Sequence, residues 1–222
     1  MVTLGKLVAV LTIICLPLMG FTSNAITGSI KGDGDLVVKN SESNPFTQLV
    51  ANFAYSSEGN TENNITVVLQ NTGDQKVSVY AEKNLQSYIE TKTENGILYL
   101  SVRKGKKLSP TSAITIYVDA STLKHISGKG NLRLACTAPL NSESLSITFD
   151  GVLNGSLEVN VNNLQVNVTG VYEFGLFGKA DNATIKTSGV GTLDHSLLVT
   201  KKLEAKINSI SKKNFHSLIA QR

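Results

Sequence analysis

Residues able to do chemistry are sparse in this chain and poorly grouped. The three histidines, His125, His195 and His216, have no second histidine or cysteine at metal-ligand spacing, and a zinc site needs at least three such ligands. His125 and His195 each lie beside a glycine turn, where surface loop positions are expected. No Gly-x-Ser-x-Gly elbow is present, and Cys136, between Ala135 and Thr137, has no protease signature around it. Cys136 reads as a small buried hydrophobe, with an intermolecular disulfide as the competing reading. Gly128-Lys-Gly130 and Gly189-Val-Gly191 resemble phosphate-cradling loops, but neither opens a helix, and cradling depends on the free amides of a helix N-terminus. Gly32-Asp-Gly-Asp35 offers two carboxylates toward calcium, which requires six or more oxygens. The expectation is therefore no catalytic residue, no metal site and no cofactor, with binding residues undetermined.

Charge narrows the partners. The formal net charge is +4, too mild to imply nucleic acid. Two clusters are more basic: Arg103, Lys104, Lys106 and Lys107, and a tail where Lys201, Lys202, Lys206, Lys212, Lys213 and Arg222 outnumber Glu204. Either suits an anionic polysaccharide or a lipid headgroup, or is simply a solvated face. Four Asn-x-Ser/Thr sequons, at Asn64, Asn154, Asn167 and Asn182, follow from an Asn- and Thr-rich composition.

The elements that would carry these residues are strands. Apolar and polar residues alternate almost everywhere after residue 45, with no sustained helical stripe, so the chain is expected to be all-β. Strands are expected near Thr47–Tyr55, Ile65–Gln70, Lys76–Glu82, Ser87–Lys92, Ile97–Arg103 and Ala113–Val118. Asn95-Gly96 is the pair a tight hairpin with positive φ prefers. At the amino end, Lys6, the apolar run Leu7–Met19 and Ser23-Asn-Ala25 have the order of a secretory signal peptide, with cleavage expected after Ala25. That run is too short for a membrane span, which needs roughly 20 residues.

From Leu145 the chain repeats itself. Leu145-Ser-Ile-Thr-Phe-Asp-Gly151, Leu164-Gln-Val-Asn-Val-Thr-Gly170, Ala183-Thr-Ile-Lys-Thr-Ser-Gly189 and Leu203-Glu-Ala-Lys-Ile-Asn-Ser209 align without gaps, at a period of about 19 residues. Leu123-Lys-His-Ile-Ser-Gly128 reads as an earlier copy, one residue shorter. The first, third and fifth positions are apolar or small and the second, fourth and sixth polar. Stacked coils would form apolar ladders inside, such as Ile147, Val166, Ile185 and Ala205. Outside they would leave Ser146, Thr148 and Asp150; Gln165, Asn167 and Thr169; Thr184, Lys186 and Ser188; and Glu204, Lys206 and Asn208. These are mostly small and uncharged, so no pair of carboxylates is stacked for acid/base work.

The runs Asn84-Leu-Gln-Ser-Tyr-Ile-Glu-Thr-Lys-Thr-Glu-Asn-Gly-Ile-Leu98, Ile114-Thr-Ile-Tyr-Val-Asp-Ala-Ser-Thr-Leu123 and Ile126-Ser-Gly-Lys-Gly130 resemble the bacterial auto-transporter adhesin head domains, also called head GIN domains, a domain of unknown function. The family's Ile-Ser-Gly-Ser-Gly signature is blurred here to Phe149-Asp-Gly-Val-Leu, Val168-Thr-Gly-Val-Tyr and Thr187-Ser-Gly-Val-Gly. The resemblance implies a right-handed β-helix-like fold in an envelope or surface setting. Ser209 replaces the glycine of the last copy, which implies a shorter stack than usual.

The expected organisation is a signal peptide over 1–25 and a loose arm or edge strand over 26–45. A β domain follows over 46–209, divided into a strand and hairpin cap (46–120) and a solenoid of repeats (121–209), and then a tail or cap over 210–222. The expected role is an exported, non-enzymatic envelope or surface protein presenting a rigid polar β-face for binding or adhesion. A periplasmic scaffold or envelope-stress protein is the alternative, and a glycan-processing enzyme a more distant one. Expected partners are a polysaccharide or another envelope protein, with a second copy at a solenoid end or sheet edge also open. The expected location is the periplasm or the outer cell surface.

Overall fold

The computed structural model describes residues 28–53 and 65–210, so the expected signal peptide, Asn64, His216 and the carboxy-terminal tail lie outside the described residues. The fold is all-β, with one 3-10 turn, Gln86–Tyr88, and no α-helix among the described residues. In chain order the strands are β1 (Ile30–Lys31), β2 (Leu36–Glu42), β3 (Gln48–Phe53), β4 (Ile65–Gln70), β5 (Lys76–Glu82), β6 (Ile89–Glu94), β7 (Ile97–Val102), β8 (Leu108–Ser109), β9 (Ile114–Asp119), β10 (His125–Cys136) and the continuously paired run β11 (Leu140–Ile210). One curled sheet runs β2-β5-β9-β4-β10-β3-β7-β6, with β11 added on β10, and β1 pairs with β8 apart from it.

The sheet is built as layers. The lowest pairs β7 and β9 with β3 and β4 above them, all in parallel. β10 then lies on both: its first half on β3, its second half, Arg133–Cys136, on β4. β11 continues on top, with His125 opposite Ser146 and Gly130 opposite Gly151. Higher up the interval becomes 19 residues. Asn160 donates to Asn141 at 2.9 Å and Asn182 to Asn163 at 3.1 Å, both across 19 positions, and Gly170 and Gly189 seat on Gly151 and Gly170.

A layer can bend into the next side without losing its pairing because the corner is glycine. Gly130, Gly151, Gly170 and Gly189 have φ of 92°, 140°, 112° and 127°, values that other residues adopt only under strain. A Cβ on Gly151, Gly170 or Gly189 would stand 2.2, 2.2 and 2.0 Å from the carbonyl oxygen of the glycine beneath. One of the first two layers handles the corner differently: between β7 and β9 the chain leaves the main sheet over 103–113, where β8 pairs with β1. The strands before residue 120 are therefore partly layers of the same sheet, and the cap proper is the antiparallel β6, β5 and β2 at its foot. The β6–β7 hairpin turns at Asn95 and Gly96, with φ of 51° and 74°, as their pairing in sequence indicates.

Apolar columns run up the interior. Leu98, Leu49, Ile126 and Ile147 are register partners in turn, and Val166 and Ile185 continue them, all buried. The adjoining column holds Leu100, Ala51, Gly128, Phe149, Val168 and Thr187. Here the copy at 123–128 departs from the expected alignment: Gly128 pairs with Phe149, and Gly130 is the corner residue. Gly128 is small because a Cβ there would stand 2.5 Å from the Ala51 carbonyl oxygen and 2.7 Å from the Phe149 ring. The fourth copy is not buried: Leu203 and Ile207 are each 43% exposed, so the ladder ends in solvent among the described residues. Ser209 adopts no positive φ.

Two substitutions separate backbone fit from side-chain polarity. Gly170→Ala should cost about 1–3 kcal/mol in urea unfolding, since it forces a methyl group into a filled space at positive φ. Thr187→Val should be neutral or stabilising, because the Thr187 hydroxyl is buried with no partner among the described residues.

Candidate functional site

The outward residues of the layered side form three parallel columns. Register pairs place Ile97, Gln48, His125 and Ser146 in the first, Tyr99, Val50, Ser127 and Thr148 in the second, and Ser101, Asn52, Lys129 and Asp150 in the third. The 19-residue interval continues them through Gln165 and Thr184, Asn167 and Lys186, and Thr169 and Ser188. The hairpin extends them downward with Glu94, Lys92 and Glu90. Successive layers lie about 4.8 Å apart, so the face presents hydroxyls, amides and isolated charges at a fixed period. These side chains are exposed or half-buried because their neighbours along each strand are the buried columns.

Two grooves border this face. One of about 500 Å³ runs along its first column, from Lys124 and His125 past Ser144 and Ser146 to Asn163, Gln165, Asn182 and Thr184. Its floor is Leu145 and Leu164, and the Asn182 to Asn163 hydrogen bond fixes two amides in line. The other, about 460 Å³, lies at the foot of the face among Lys39, Tyr99, Lys92, Ser101 and Arg103. Of the first groove, the outward positions Ser146, Gln165 and Thr184 follow from the repeat, and the groove itself does not. The second joins distant segments, β2 and β6–β7, and its one sequence signal was an aromatic residue, Tyr99, at an outward position between the inward Leu98 and Leu100.

The other candidates have structural roles. The Asp33 carboxylate accepts the Asp35 N–H at 3.0 Å, and the Asp35 carboxylate lies 3.9 Å from Lys83 Nζ, so the Gly32–Asp35 carboxylates shape their own turn and meet a surface cation. Gly130 and Gly189 are corner residues, and Gly191 seats on the Tyr172 backbone. His125 is exposed and His195 half-buried. No group of three or more His, Cys, Asp or Glu gathers among the described residues. Cys136 is free and half-buried; its Sγ accepts the Glu158 N–H at 3.1 Å, and burial pushes the thiol pKa up, which leaves little thiolate.

Glu82 and Asp119 are the buried carboxylates that a search for acid/base chemistry would notice. Burial alone would raise the pKa of Glu82. The Thr111 hydroxyl and the N–H groups of Gly34, Thr111 and Ser112 outweigh it and hold the group below its ordinary value. Asp119 is held low in the same way, against burial, by Gln75, Ser121 and Gly73. With all their donors on the backbone and hydroxyls of adjacent loops, both act as loop anchors: Glu82 ties Gly34 and Thr111 to the end of β5, and Asp119 fixes Gln75, whose φ is 54°.

A chain profile for the domain described as "putative auto-transporter adhesin, head GIN domain" matches residues 60–218. Solved structures share the fold. A putative adhesin from Bacteroides fragilis is 22% identical with a TM-score of 0.70, over 82% of this chain and 81% of that one. A putative adhesin from Parabacteroides merdae is 17% identical with a TM-score of 0.58, over 82% of each chain. A putative lipid binding protein from Parabacteroides distasonis is 18% identical with a TM-score of 0.60, over 83% of each. No curated protein sequence matches the chain.

The anchors have a pH signature. Because both carboxylates titrate lower in the folded state than in the unfolded chain, their contribution is complete above the ordinary values of 4.5 and 3.8 and is lost as pH falls through the lowered ones. The urea midpoint should therefore hold steady above about pH 5 and fall as the pH drops below the ordinary values of 4.5 and 3.8. Glu82→Gln should lower the midpoint at pH 7 and flatten that acid dependence.

Proposed function

Because the chain belongs to the auto-transporter adhesin head GIN domain family, we propose that it is an exported envelope protein that uses its layered outward face to hold a polar surface or glycan. The observation that carries this reading is the set of three outward columns, repeated at one period over the height of the stack. A face of this kind offers many weak, evenly spaced hydrogen-bonding positions along a line, which suits an extended or repetitive partner. Its small hydroxyl and amide side chains lose little rotamer freedom on binding.

The same reading assigns a binding role and not catalysis. The three columns stack no two carboxylates on adjacent layers, and opposite charges meet between layers instead, as Lys129 opposite Asp150 and as the Lys201 to Asp181 ion pair at 2.9 Å. Export rests on the order of Lys6, Leu7–Met19 and Ser23–Ala25 over 1–25. No helix among the described residues is long and apolar enough to cross a membrane. In this reading 26–45 is an edge arm, 46–209 the β domain and 210–222 a terminal cap. The layers wind as a right-handed β-helix, since parallel crossovers within one sheet are right-handed in about 98% of cases.

Protease shaving of intact native cells, followed by detection of the mature chain, tests the reading. Removal of the chain by external protease is the expected result. Full protection until the outer membrane is broken would sink the surface role and favour a periplasmic scaffold.

A further inference from the structure

The groove at the foot of the outward face differs from the rest of that face in two respects. It holds an aromatic ring, and its charges are mostly of one sign. Tyr99 is 37% exposed and is the one aromatic phenol ring in the three outward columns, and Lys92 is its direct cross-strand partner. Arg103 stands at the end of the same strand pair. Its guanidinium lies 5.6 Å from the Tyr88 ring centroid, donates to the Ser87 carbonyl at 2.7 Å and approaches Glu90 at 3.5 Å. These three contacts fix its orientation, so it is a preorganised cation.

Lys39 enters the groove from the other free edge of the curled sheet and makes no ion pair among the described residues. Lys92 pairs with Glu94 at 2.8 Å across an exposed surface, a contact that competes weakly with a ligand. The adjoining turn adds the exposed Lys104 and Lys106. Against these cations stand Glu90 and Glu94. The local charge is thus positive, while Ser87, Thr91 and Ser101 line the same groove with hydroxyls.

We propose that this groove binds an acidic polysaccharide, with a sugar ring on Tyr99 and its carboxylate against Lys39, Lys92 and Arg103. A ring face packs the C–H side of a sugar while the hydroxyls take its polar edge, and the cations select the acidic form. The inference rests on the reading of the outward face as a binding surface and gives that face a ligand class at one end.

Titration calorimetry of the purified mature protein with polygalacturonate, its neutral methyl ester and anionic phospholipid vesicles tests it. Polygalacturonate should bind and the methyl ester should not. Tyr99→Ala should weaken binding about threefold to tenfold without changing its salt dependence, whereas Lys39→Ala and Lys92→Ala should weaken it and flatten that dependence. All three side chains are at the surface, so circular dichroism should match that of the parent. Failure to bind polygalacturonate, or binding that Tyr99→Ala leaves intact, overturns the site; uptake by vesicles alone overturns it in favour of a membrane surface. If adhesion of native cells is still lost on changing Thr148, Asn167 and Lys186, such a failure belongs to this groove and not to the face.

Discussion

Backbone meets backbone at the corner formed by Gly130, Gly151, Gly170 and Gly189, and the rest of the structure depends on that approach. Hydrogen-bonded layers must lie about 4.8 Å apart. A bend that keeps this spacing leaves no room for a side chain on the inside of the turn, as the distances of about 2 Å from a hypothetical Cβ on Gly151, Gly170 or Gly189 to the carbonyl below make plain. Once the corner is fixed, every residue before and after it has its column assigned. A slip of one residue would turn the whole apolar set outward, so a handful of glycines determines which residues are core and which are face.

The interior then has to fill the same column at every level with side chains of different size. It does so by pairing large with small, as where Phe149 lies over Gly128 and Ala51. This packing is local to neighbouring layers, which is how a stack holds together without a distant core. The outward columns inherit the regular period and none of the packing constraint. They are free to carry Ser, Thr, Asn, Gln and scattered charges, and that freedom is what makes the face a plausible surface for recognition on physical grounds.

Much of this was readable from the residues. The alternation of apolar and polar positions announced strands, Asn95-Gly96 announced the hairpin, and the repeats from Leu145 announced the columns. The layers formed by β3, β4, β7 and β9 were not readable as layers. Eleven residues, 103–113, intervene between β7 and β9 and erase the period, and β3 and β4 are sandwiched between strands that come later in the chain. The alignment of Leu123–Gly128 failed for a related reason. Gly128 occupies an inward column position, where the Ala51 carbonyl and the Phe149 ring leave no room for a Cβ, and the corner falls two residues later at Gly130. The groove at Tyr99 was hidden because Lys39 comes from an edge strand far away in sequence, and only the curl of the sheet brings the two together.

The claim from which everything else follows is that outward residues of successive repeats lie in one straight column. Pulsed electron paramagnetic resonance between a spin label at position 99 and a second label at position 148, 167 or 186 measures it directly. With layers about 4.8 Å apart, the separation should rise in steps of roughly 5 Å, from about 14 Å at 148 to about 24 Å at 186. Separations that fail to increase in that order, or that give the same value at all three positions, would contradict the stacked arrangement and the binding face built on it.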